Sequence, residues 1–185
     1  MRKTQLHPEI FTIDNFLSKE ECNAYIERAE FQKFEEAKIN SGGQQVMNKM
    51  VRNNDRLLFF DNSLADKLWL RIKPYVPNRI GICNALGLNE MFRIYRYSEG
   101  QRFKMHRDGS YQRSQTESSF LSFLIYLNDD FVGGETEFRN ITTVKPKPGL
   151  ALLFHHPMRH EGKEIISGVK YVLRTDVMYK LSPHE

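Results

Sequence analysis

The pattern of hydrophobic and polar positions divides the chain into a first part with helical periodicity and a second part rich in strands. Residues 9–15 (EIFTIDN) predict a short strand. Ser18 and Glu21 have the spacing of a capping box, which predicts that a helix begins directly after Ser18. The apolar positions that follow at helical spacing are Cys22, Tyr25, Ile26 and Ala29. We therefore expect this face of the helix to pack on a hydrophobic core.

A second helix is predicted further along the first part of the chain. Ser63 is its predicted N-cap, and Pro74 is expected to end it because proline cannot continue a helix. Its apolar stripe consists of Leu64, Leu68 and Ile72. Between the two helices, residues 40–45 contain a pair of adjacent glycines and predict a loop.

After residue 90 the chain consists of short apolar segments separated by Gly, Pro, Asn or Asp. Because aromatic and β-branched residues dominate these segments, they predict strands. The predicted strands are residues 91–97, 103–106, 120–128, 135–138, 150–155 and 171–179. Connections this short leave no room for crossover helices, so we expect antiparallel sheets. The whole pattern predicts a mainly β fold with N-terminal helices, arranged as a β-sandwich or jelly roll.

Length and composition fit one ordinary domain. With 185 residues, the chain is long enough to bury a core without a disulfide or a structural zinc. Cys22 and Cys83 are far apart and predict two reduced thiols. No apolar run has the length of a signal peptide or a membrane span, so we expect a cytoplasmic protein without membrane association. The net charge of +4 comes from scattered lysines and arginines, which do not predict nucleic acid as a partner.

His106 and Asp108 are the first residues that point to a chemical function. On an extended chain, residues two apart face the same side, so this imidazole and this carboxylate converge. A second imidazole is available from His160, after several predicted strands. Two histidines and one carboxylate leave three metal positions open, which is typical of non-haem Fe(II) oxygenases. His155 and His156 lie close to His160 in the sequence and are alternative candidates for the second histidine.

Two cations follow His160, and either would suit an acidic cosubstrate. An oxygenase that uses 2-oxoglutarate must neutralise the far carboxylate of this keto acid in a partly buried pocket. Lys170 lies ten residues after His160 and Arg174 fourteen, and on one strand both face the same side. His160 is preferred over the neighbouring histidines because of this spacing. Lys170 is the first candidate for the carboxylate anchor and Arg174 is the alternative, since the arginine fork also suits a carboxylate.

Several segments occur in the order found in a known family. They are residues 97–108 (YSEGQRFKMHRD), 123–128 (FLIYLN), 133–138 (GGETEF) and 147–154 (KPGLALLF), followed by His160 and Lys170. On these segments the chain resembles the prolyl 4-hydroxylase-like branch of the Fe(II)/2-oxoglutarate-dependent dioxygenases. Residues 10–30 resemble the lead-in of that branch more loosely. The resemblance implies a single domain of residues 1–185, with a catalytic double-stranded β-helix (a cupin-like jelly roll) at residues 90–180 and a support region at residues 1–89.

The resemblance also implies roles for individual residues. The residues that match the iron ligands are His106, Asp108 and His160, and Lys170 matches the residue that anchors 2-oxoglutarate. Tyr97 matches a tyrosine that often lines the cosubstrate pocket, and Tyr126 lies on the adjoining strand, although both also fit ordinary core positions. Gly133 and Gly134 are expected to form a turn without chemistry of their own. The implied cofactor is Fe(II), the implied cosubstrates are 2-oxoglutarate and O2, and the implied reductant is ascorbate.

The implied reaction is hydroxylation of an aliphatic C–H, foremost in a prolyl or other residue of a peptide or protein, with release of succinate and CO2. The candidates for substrate binding are Arg52, Asn54, Arg56 and Tyr111, and polar loop residues without a function would give the same pattern. A free amino acid or other small metabolite is the alternative substrate. A cupin-like metal-binding protein without 2-oxoglutarate turnover is the alternative from another class, and it would usually carry more histidines. The sequence predicts no oligomeric state.

Overall fold

The structure is a computed structural model, and it describes residues 1–37, 39–41, 44–46 and 52–182. The α-helices are Lys19–Glu30 (α1) and Asn62–Ile72 (α2). The strands are Arg2–His7 (β1), Ile10–Asp14 (β2), Glu35–Glu36 (β3), Ile39–Ser41 (β4), Gln44–Val46 (β5), Asp55–Phe60 (β6), Arg79–Ile80 (β7), Cys83–Leu88 (β8), Met91–Tyr97 (β9), Phe103–His106 (β10), Glu117–Tyr126 (β11), Phe131–Gly133 (β12), Thr136–Phe138 (β13), Thr142–Val144 (β14), Ala151–His155 (β15), His160–Gly162 (β16), Ile165–Gly168 (β17) and Lys170–Leu181 (β18).

Most of the described strands belong to two antiparallel sheets. The major sheet has the order β1-β2-β15-β11-β18-β9-β6-β3, and β8 pairs with the second half of β18 and with β7. The minor sheet has the order β10-β16-β13-β14. Two antiparallel sheets that enclose a common core form a jelly roll. The predicted mainly β fold with N-terminal helices and a jelly-roll core is therefore confirmed.

The two faces of the major sheet pack against different partners. In β11, Phe123 and Ile125 belong to a core that the sheet shares with α1 and α2. Leu124 and Tyr126 point the other way, into a second core that also contains Phe138 of the minor sheet. This division follows from the two-residue period of a strand. One face of the sheet therefore supports the fold against the helices, and the other faces the space between the two sheets.

The two helices begin at polar caps, one of which differs from the prediction. Ser18 and Glu21 form the predicted capping box of α1, each side chain accepting a hydrogen bond from the other residue's backbone N–H. The prediction of Ser63 as the N-cap of α2 is wrong, because the Asp61 carboxylate accepts a hydrogen bond from the Leu64 N–H at 2.9 Å. The predicted apolar stripe of α2 is confirmed, since Leu64, Leu68 and Ile72 are buried.

Three further expectations can be compared with the fold. The predicted loop at residues 40–45 is wrong in part, because β4 and β5 pair with each other there, and Gly42 and Gly43 lie outside the described residues. Cys22 and Cys83 are free thiols, as predicted. Neither of the helices in the described part of the chain combines the length and the apolar character that crossing a bilayer requires.

Candidate active site

Three side chains that can bind a metal come together at one end of the cavity between the sheets. His106 and His160 are direct cross-strand partners in β10 and β16, and their ring centres lie 4.2 Å apart. Asp108 follows β10, and its Oδ1 and Oδ2 lie 3.6 Å from His106 Nε2 and 3.7 Å from His160 Nε2, respectively. The ligand atoms all lie within 4.8 Å of one another. One ion can therefore contact all three residues, which we call the triad.

Backbone carbonyl groups determine which nitrogen of each imidazole faces the site. His106 Nδ1 lies 2.7 Å from the carbonyl oxygen of Lys104, and His160 Nδ1 lies 2.9 Å from that of Met158. A hydrogen on each Nδ1 leaves Nε2 free to face Asp108 as a metal ligand. Burial lowers the pKa of His160 to about 4, so the ring is neutral at pH 7, as metal binding requires.

Asp108 is ionised, and both of its carboxylate oxygens have a partner. Arg174 Nη1 lies 3.2 Å from Oδ1, and the Ser122 hydroxyl donates a hydrogen bond to Oδ2 at 2.5 Å. Burial by itself would raise the pKa of Asp108, but the charge of Arg174 and the contacts with the two histidines hold it well below its usual range. The carboxylate is therefore an anionic ligand at neutral pH.

A buried cation lies at the opposite end of the cavity. Lys170 is 3% exposed, and its ammonium group lies 5.4 Å from the ring centres of both Tyr97 and Tyr126. The same group donates a hydrogen bond to the carbonyl oxygen of Gly134. Burial lowers the pKa of Lys170 to about 7. Among the described residues, no carboxylate lies within ion-pair distance of Lys170, so its charge lacks an anionic partner.

The two candidate cations occupy different positions in the cavity. Lys170, Val172 and Arg174 all line it, which agrees with the expectation that they share one face of the strand. Four residues of a strand span about 13 Å, so Arg174 lies beside the triad and Lys170 lies far from it. Arg174 contacts two carboxylates, Asp108 at 3.2 Å and Asp176 at 3.4 Å. Arg174 is therefore already neutralised by carboxylates of the protein, whereas Lys170 is not.

The triad offers the ligands of a known class of iron site. Two imidazole nitrogens and one carboxylate suit Fe(II) and leave coordination positions for a chelating cosubstrate. The family model described as 2OG-Fe(II) oxygenase superfamily matches residues 92–175, which contain the triad and both cations. The chain is therefore similar to this superfamily over residues 92–175. The resemblance seen in the sequence is confirmed, and Fe(II), 2-oxoglutarate and O2 are the cofactor and cosubstrates that this family implies.

The chain is also similar to prolyl hydroxylases over most of its length. It is 27% identical over 185 residues to the "Putative prolyl 4-hydroxylase" of Acanthamoeba polyphaga mimivirus, with 88% of this chain and 71% of the relative covered. The structure of the viral collagen prolyl hydroxylase from Paramecium Bursaria Chlorella virus-1 with 2OG has a TM-score of 0.67 at 21% identity, covering 93% of this chain and 96% of that one. A prolyl hydroxylase from Trichoplax adhaerens, in complex with a hypoxia inducible factor peptide fragment, has a TM-score of 0.70 at 17% identity, covering 91% and 83%.

Two of the predicted substrate-binding residues lie behind the wall of the cavity. The Arg52 guanidinium lies over the rings of Tyr95 and Phe103, 4.3 Å and 4.4 Å from their centres, and both rings line the cavity. Arg52 Nε donates a hydrogen bond to Asn54 Oδ1 at 2.7 Å. Arg52 is 5% exposed and Asn54 is 1% exposed. In this arrangement they support the aromatic wall of the cavity, and a substrate would reach them through it.

The other two predicted substrate-binding residues lie elsewhere. Arg56 forms an ion pair with Glu35 of β3 at 2.8 Å. The backbone N–H of Tyr111 donates a hydrogen bond to Ser119 Oγ at 2.8 Å. Neither Arg56 nor Tyr111 is among the residues that line the cavity. The structure therefore brings Arg52 and Asn54 close to the site and leaves Arg56 and Tyr111 outside its lining.

The histidines next to the triad have other partners. His155 Nδ1 lies 4.0 Å from the carboxylate of Glu9. His156 accepts or donates hydrogen bonds at both ring nitrogens, with Ser122 Oγ at 2.9 Å and Ser119 Oγ at 2.8 Å. The preference for His160 over its neighbours in the sequence agrees with this geometry.

Several residues of the site are not identified by the sequence reasoning above. They are Tyr95, Phe103, Ser122, Gly134, Thr136 and Asp176. Strand periodicity could have identified some of them, because Tyr95 shares a face with Tyr97, and Asp176 shares a face with Arg174. Phe103 stacks on His106 with 3.5 Å between ring centres, and Thr136 accepts a hydrogen bond from the Tyr126 hydroxyl. No sequence signal marks these two contacts: the first lies within β10, and the second joins β11 to β13.

Gly134→Ala is expected to lower stability and to weaken the binding of 2-oxoglutarate. Gly134 has φ +70°, and a Cβ there would lie 2.5 Å from Ile165 Cδ1 and 3.2 Å from Lys170 Cδ. Because the backbone conformation and the contact both oppose a side chain, the free energy of unfolding should fall by about 1–3 kcal/mol. Chemical denaturation and 2-oxoglutarate titration measure the two effects.

Gly100→Ala is the matched control for this prediction. Gly100 also has a positive φ, +75°, but a Cβ there would meet nothing within 4 Å. This variant should therefore lose stability through its backbone conformation alone and bind 2-oxoglutarate normally. Equal affinities for 2-oxoglutarate in the two variants would show that Gly134 does not position Lys170.

Proposed function

We propose that this protein is a 2OG-Fe(II) oxygenase that hydroxylates an aliphatic C–H of a prolyl or other residue in a peptide or protein. The reaction is coupled to conversion of 2-oxoglutarate and O2 into succinate and CO2. The observation that carries the proposal is a His-Asp-His triad at one end of a cavity whose other end holds a buried lysine without an anionic partner. The named relatives support prolyl hydroxylation, and the Trichoplax adhaerens enzyme is in complex with a peptide.

In this proposal, the triad holds Fe(II), which supplies the activation of O2. His106 and His160 present Nε2 to the metal because their Nδ1 atoms are turned to backbone carbonyls. Asp108 supplies the anionic ligand, since Arg174 and Ser122 keep its carboxylate ionised and oriented. The protein would thus hold the metal with these three ligands at one end of the cavity, where a chelating cosubstrate could also bind it.

Lys170 is the proposed anchor of the far carboxylate of 2-oxoglutarate. The carboxylate would neutralise the ammonium group, whose charge is otherwise unpaired in a buried setting. Tyr97 and Tyr126 flank this end of the cavity and would exclude water from the ion pair. Arg174, the alternative anchor, is less suited because Asp108 and Asp176 already neutralise it.

The four predicted substrate-binding residues are also part of the proposal. Arg52 and Asn54 are proposed to act on substrate binding by holding the aromatic wall in place, and Arg56 and Tyr111 to contact a substrate outside the cavity. A free amino acid or small metabolite is the second candidate substrate. Ascorbate as reductant, a cytoplasmic location and the division at residues 89 and 90 into support and catalytic regions also belong to this proposal.

The proposal is tested by anaerobic titration of the purified apo-protein with Fe(II) and then 2-oxoglutarate. We expect the weak visible charge-transfer band of the chelate in the wild type and its loss in His160→Ala. His155→Ala is the matched control, because His155 is the neighbouring candidate histidine and its ring faces the carboxylate of Glu9, so the band should persist there. A wild type that binds iron without forming the band would favour a cupin-like metal protein that does not use 2-oxoglutarate.

A further inference from the structure

Arg174 is bound between two carboxylates that lie on different sides of it. Its Nη1 lies 3.2 Å from Asp108 Oδ1, and its Nη2 lies 3.4 Å from Asp176 Oδ1. Asp176 is 3% exposed and follows Arg174 on the same face of β18. The guanidinium is therefore held by a residue of its own strand and reaches across to the triad.

The carboxylate of Asp108 is held from both ends by this arrangement. While Arg174 contacts Oδ1, the Ser122 hydroxyl donates to Oδ2, and His156 Nδ1 lies 2.9 Å from the same hydroxyl. His156 Nε2 is in turn 2.8 Å from Ser119 Oγ, so the second contact is itself fixed. A carboxylate with a partner on each oxygen cannot turn about its Cβ–Cγ bond without losing one of them.

The orientation of this carboxylate matters more than that of an ordinary buried aspartate. A ligating carboxylate that turns freely can bind a metal through both oxygens and occupy a position that a chelating keto acid requires. Partners of the ligands outside the metal's coordination sphere fix such orientations. The planar fork of an arginine suits two carboxylates at once, whereas a lysine ammonium is a point charge.

We propose that Arg174 is a positioning residue of the iron centre, which holds Asp108 in its ligating orientation while Asp176 cancels the charge of the guanidinium. The inference rests on the proposed function, in which the triad binds Fe(II). An effect of Arg174 on the orientation of Asp108 and an effect of its charge predict opposite changes in Fe(II) affinity. Removing a cation beside Asp108 would strengthen the binding of Fe(II) if charge dominated, whereas loss of orientation weakens it. Because Arg174 and Asp176 together are neutral, removing both leaves the charge of the site unchanged.

Two variants separate orientation from charge. Arg174→Lys keeps the charge and removes the fork, and the double variant Arg174→Gln/Asp176→Asn removes the fork and keeps the net charge. We expect both to bind Fe(II) about 10- to 100-fold more weakly than the wild type, as for other residues that orient metal ligands. Fe(II) affinity is measured anaerobically by competition with a chelator, and the charge-transfer band with 2-oxoglutarate should also shift or weaken.

Arg93→Gln is the matched control, because Arg93 Nη1 lies 3.8 Å from Asp176 Oδ2 and does not contact Asp108. This variant loses a cation beside Asp176, and its Fe(II) affinity should stay at the wild-type level. If the double variant does not fold, Arg174→Lys and Ser122→Ala test the positioning role instead. Ser122→Ala removes only the uncharged hydrogen bond to Asp108 Oδ2, and it should also weaken Fe(II) binding.

The positioning role of Arg174 would be overturned if Arg174→Lys bound Fe(II) as tightly as the wild type and either the double variant or Ser122→Ala did so too. Failure of the proposed function gives a different result, because the wild type itself would then lack a charge-transfer band that depends on His160. The two failures are therefore distinguishable in one series of titrations.

Discussion

Asp108→Ala is expected to reduce 2-oxoglutarate turnover below detection. The variant loses the anionic ligand of the triad, which lies within 4 Å of both histidine Nε2 atoms. Loss of an orienting partner alone costs metal affinity about 10- to 100-fold, so loss of the ligand itself should exceed that. Succinate release and anaerobic Fe(II) binding measure the effect. Turnover at the wild-type level in this variant would show that the triad is assigned wrongly.

The fold of this variant must be shown to persist. Removing one partner of a buried ion pair costs about 3–5 kcal/mol when the other charge is left alone. Arg174 keeps Asp176 as a partner, so we expect a smaller loss. Asp108→Asn is the matched control, because the amide keeps the shape and an oxygen that can accept from Ser122 but carries no charge. It should fold normally and still bind Fe(II) poorly, as thermal unfolding and metal titration would show.

Lys170→Met is expected to weaken 2-oxoglutarate binding strongly and to leave Fe(II) binding intact. The far carboxylate of 2-oxoglutarate would then be buried without a cation, which costs about 3–5 kcal/mol, or roughly 100- to 5000-fold in affinity. The analogue 2-oxopentanoate has the same chain length and lacks this carboxylate. In the wild type, 2-oxopentanoate should therefore have a much larger dissociation constant than 2-oxoglutarate. The ratio of these two constants should fall towards one in Lys170→Met and stay high in Arg174→Lys. The reverse result would assign the anchor to Arg174.

The protonation of Lys170 gives an independent measurement of the same contact. Burial lowers the pKa of Lys170 to about 7, and Tyr97, Tyr126 and the nearby Glu135 are the titratable groups around it. Only the protonated lysine binds the carboxylate, so above pH 7 binding must take up a proton. The affinity for 2-oxoglutarate should then fall by about tenfold per pH unit. Lys170→Arg stays charged and should show no such fall.

The sequence predicted the triad because each of its members obeys a local rule. His106 and Asp108 are only two residues apart, although Asp108 lies just beyond the end of β10, and His160 lies ten residues before Lys170. The contact between Arg174 and Asp108 obeys no such rule, because it depends on how β18 of the major sheet lies against the segment after β10. Side chains that meet across sheets are determined by tertiary packing, which a single sequence does not specify.

The elements of the fold were predictable to the extent that their own residues favour them. Six strands after residue 90 were predicted from their aromatic and β-branched residues, whereas the three- and four-residue strands β12, β14, β16 and β17 were not. The strand β8 (CNALGL) was not predicted either, because its residues have low strand propensity. It forms a strand because β18 provides hydrogen-bonding partners along its edge. The predicted N-cap of α2, Ser63, lies two residues after the observed one, Asp61. Both residue types are good caps, and in the structure it is the Asp61 carboxylate that accepts the hydrogen bond from the Leu64 N–H.

His106 and His160 face each other across β10 and β16, and the chain between them includes β11, β13 and β15. An ion bound by both histidines would therefore act as a cross-link that closes a long loop. Because these ligands come together only in the folded chain, an ion that binds them stabilises the strands that it joins. Loading with metal therefore does more than equip the site for chemistry. It joins the minor sheet at its first two strands, and stability rises with the concentration of free metal relative to its dissociation constant. If the triad binds metal as proposed, metal supply would set how much of this protein stays folded, as well as how much of it is active.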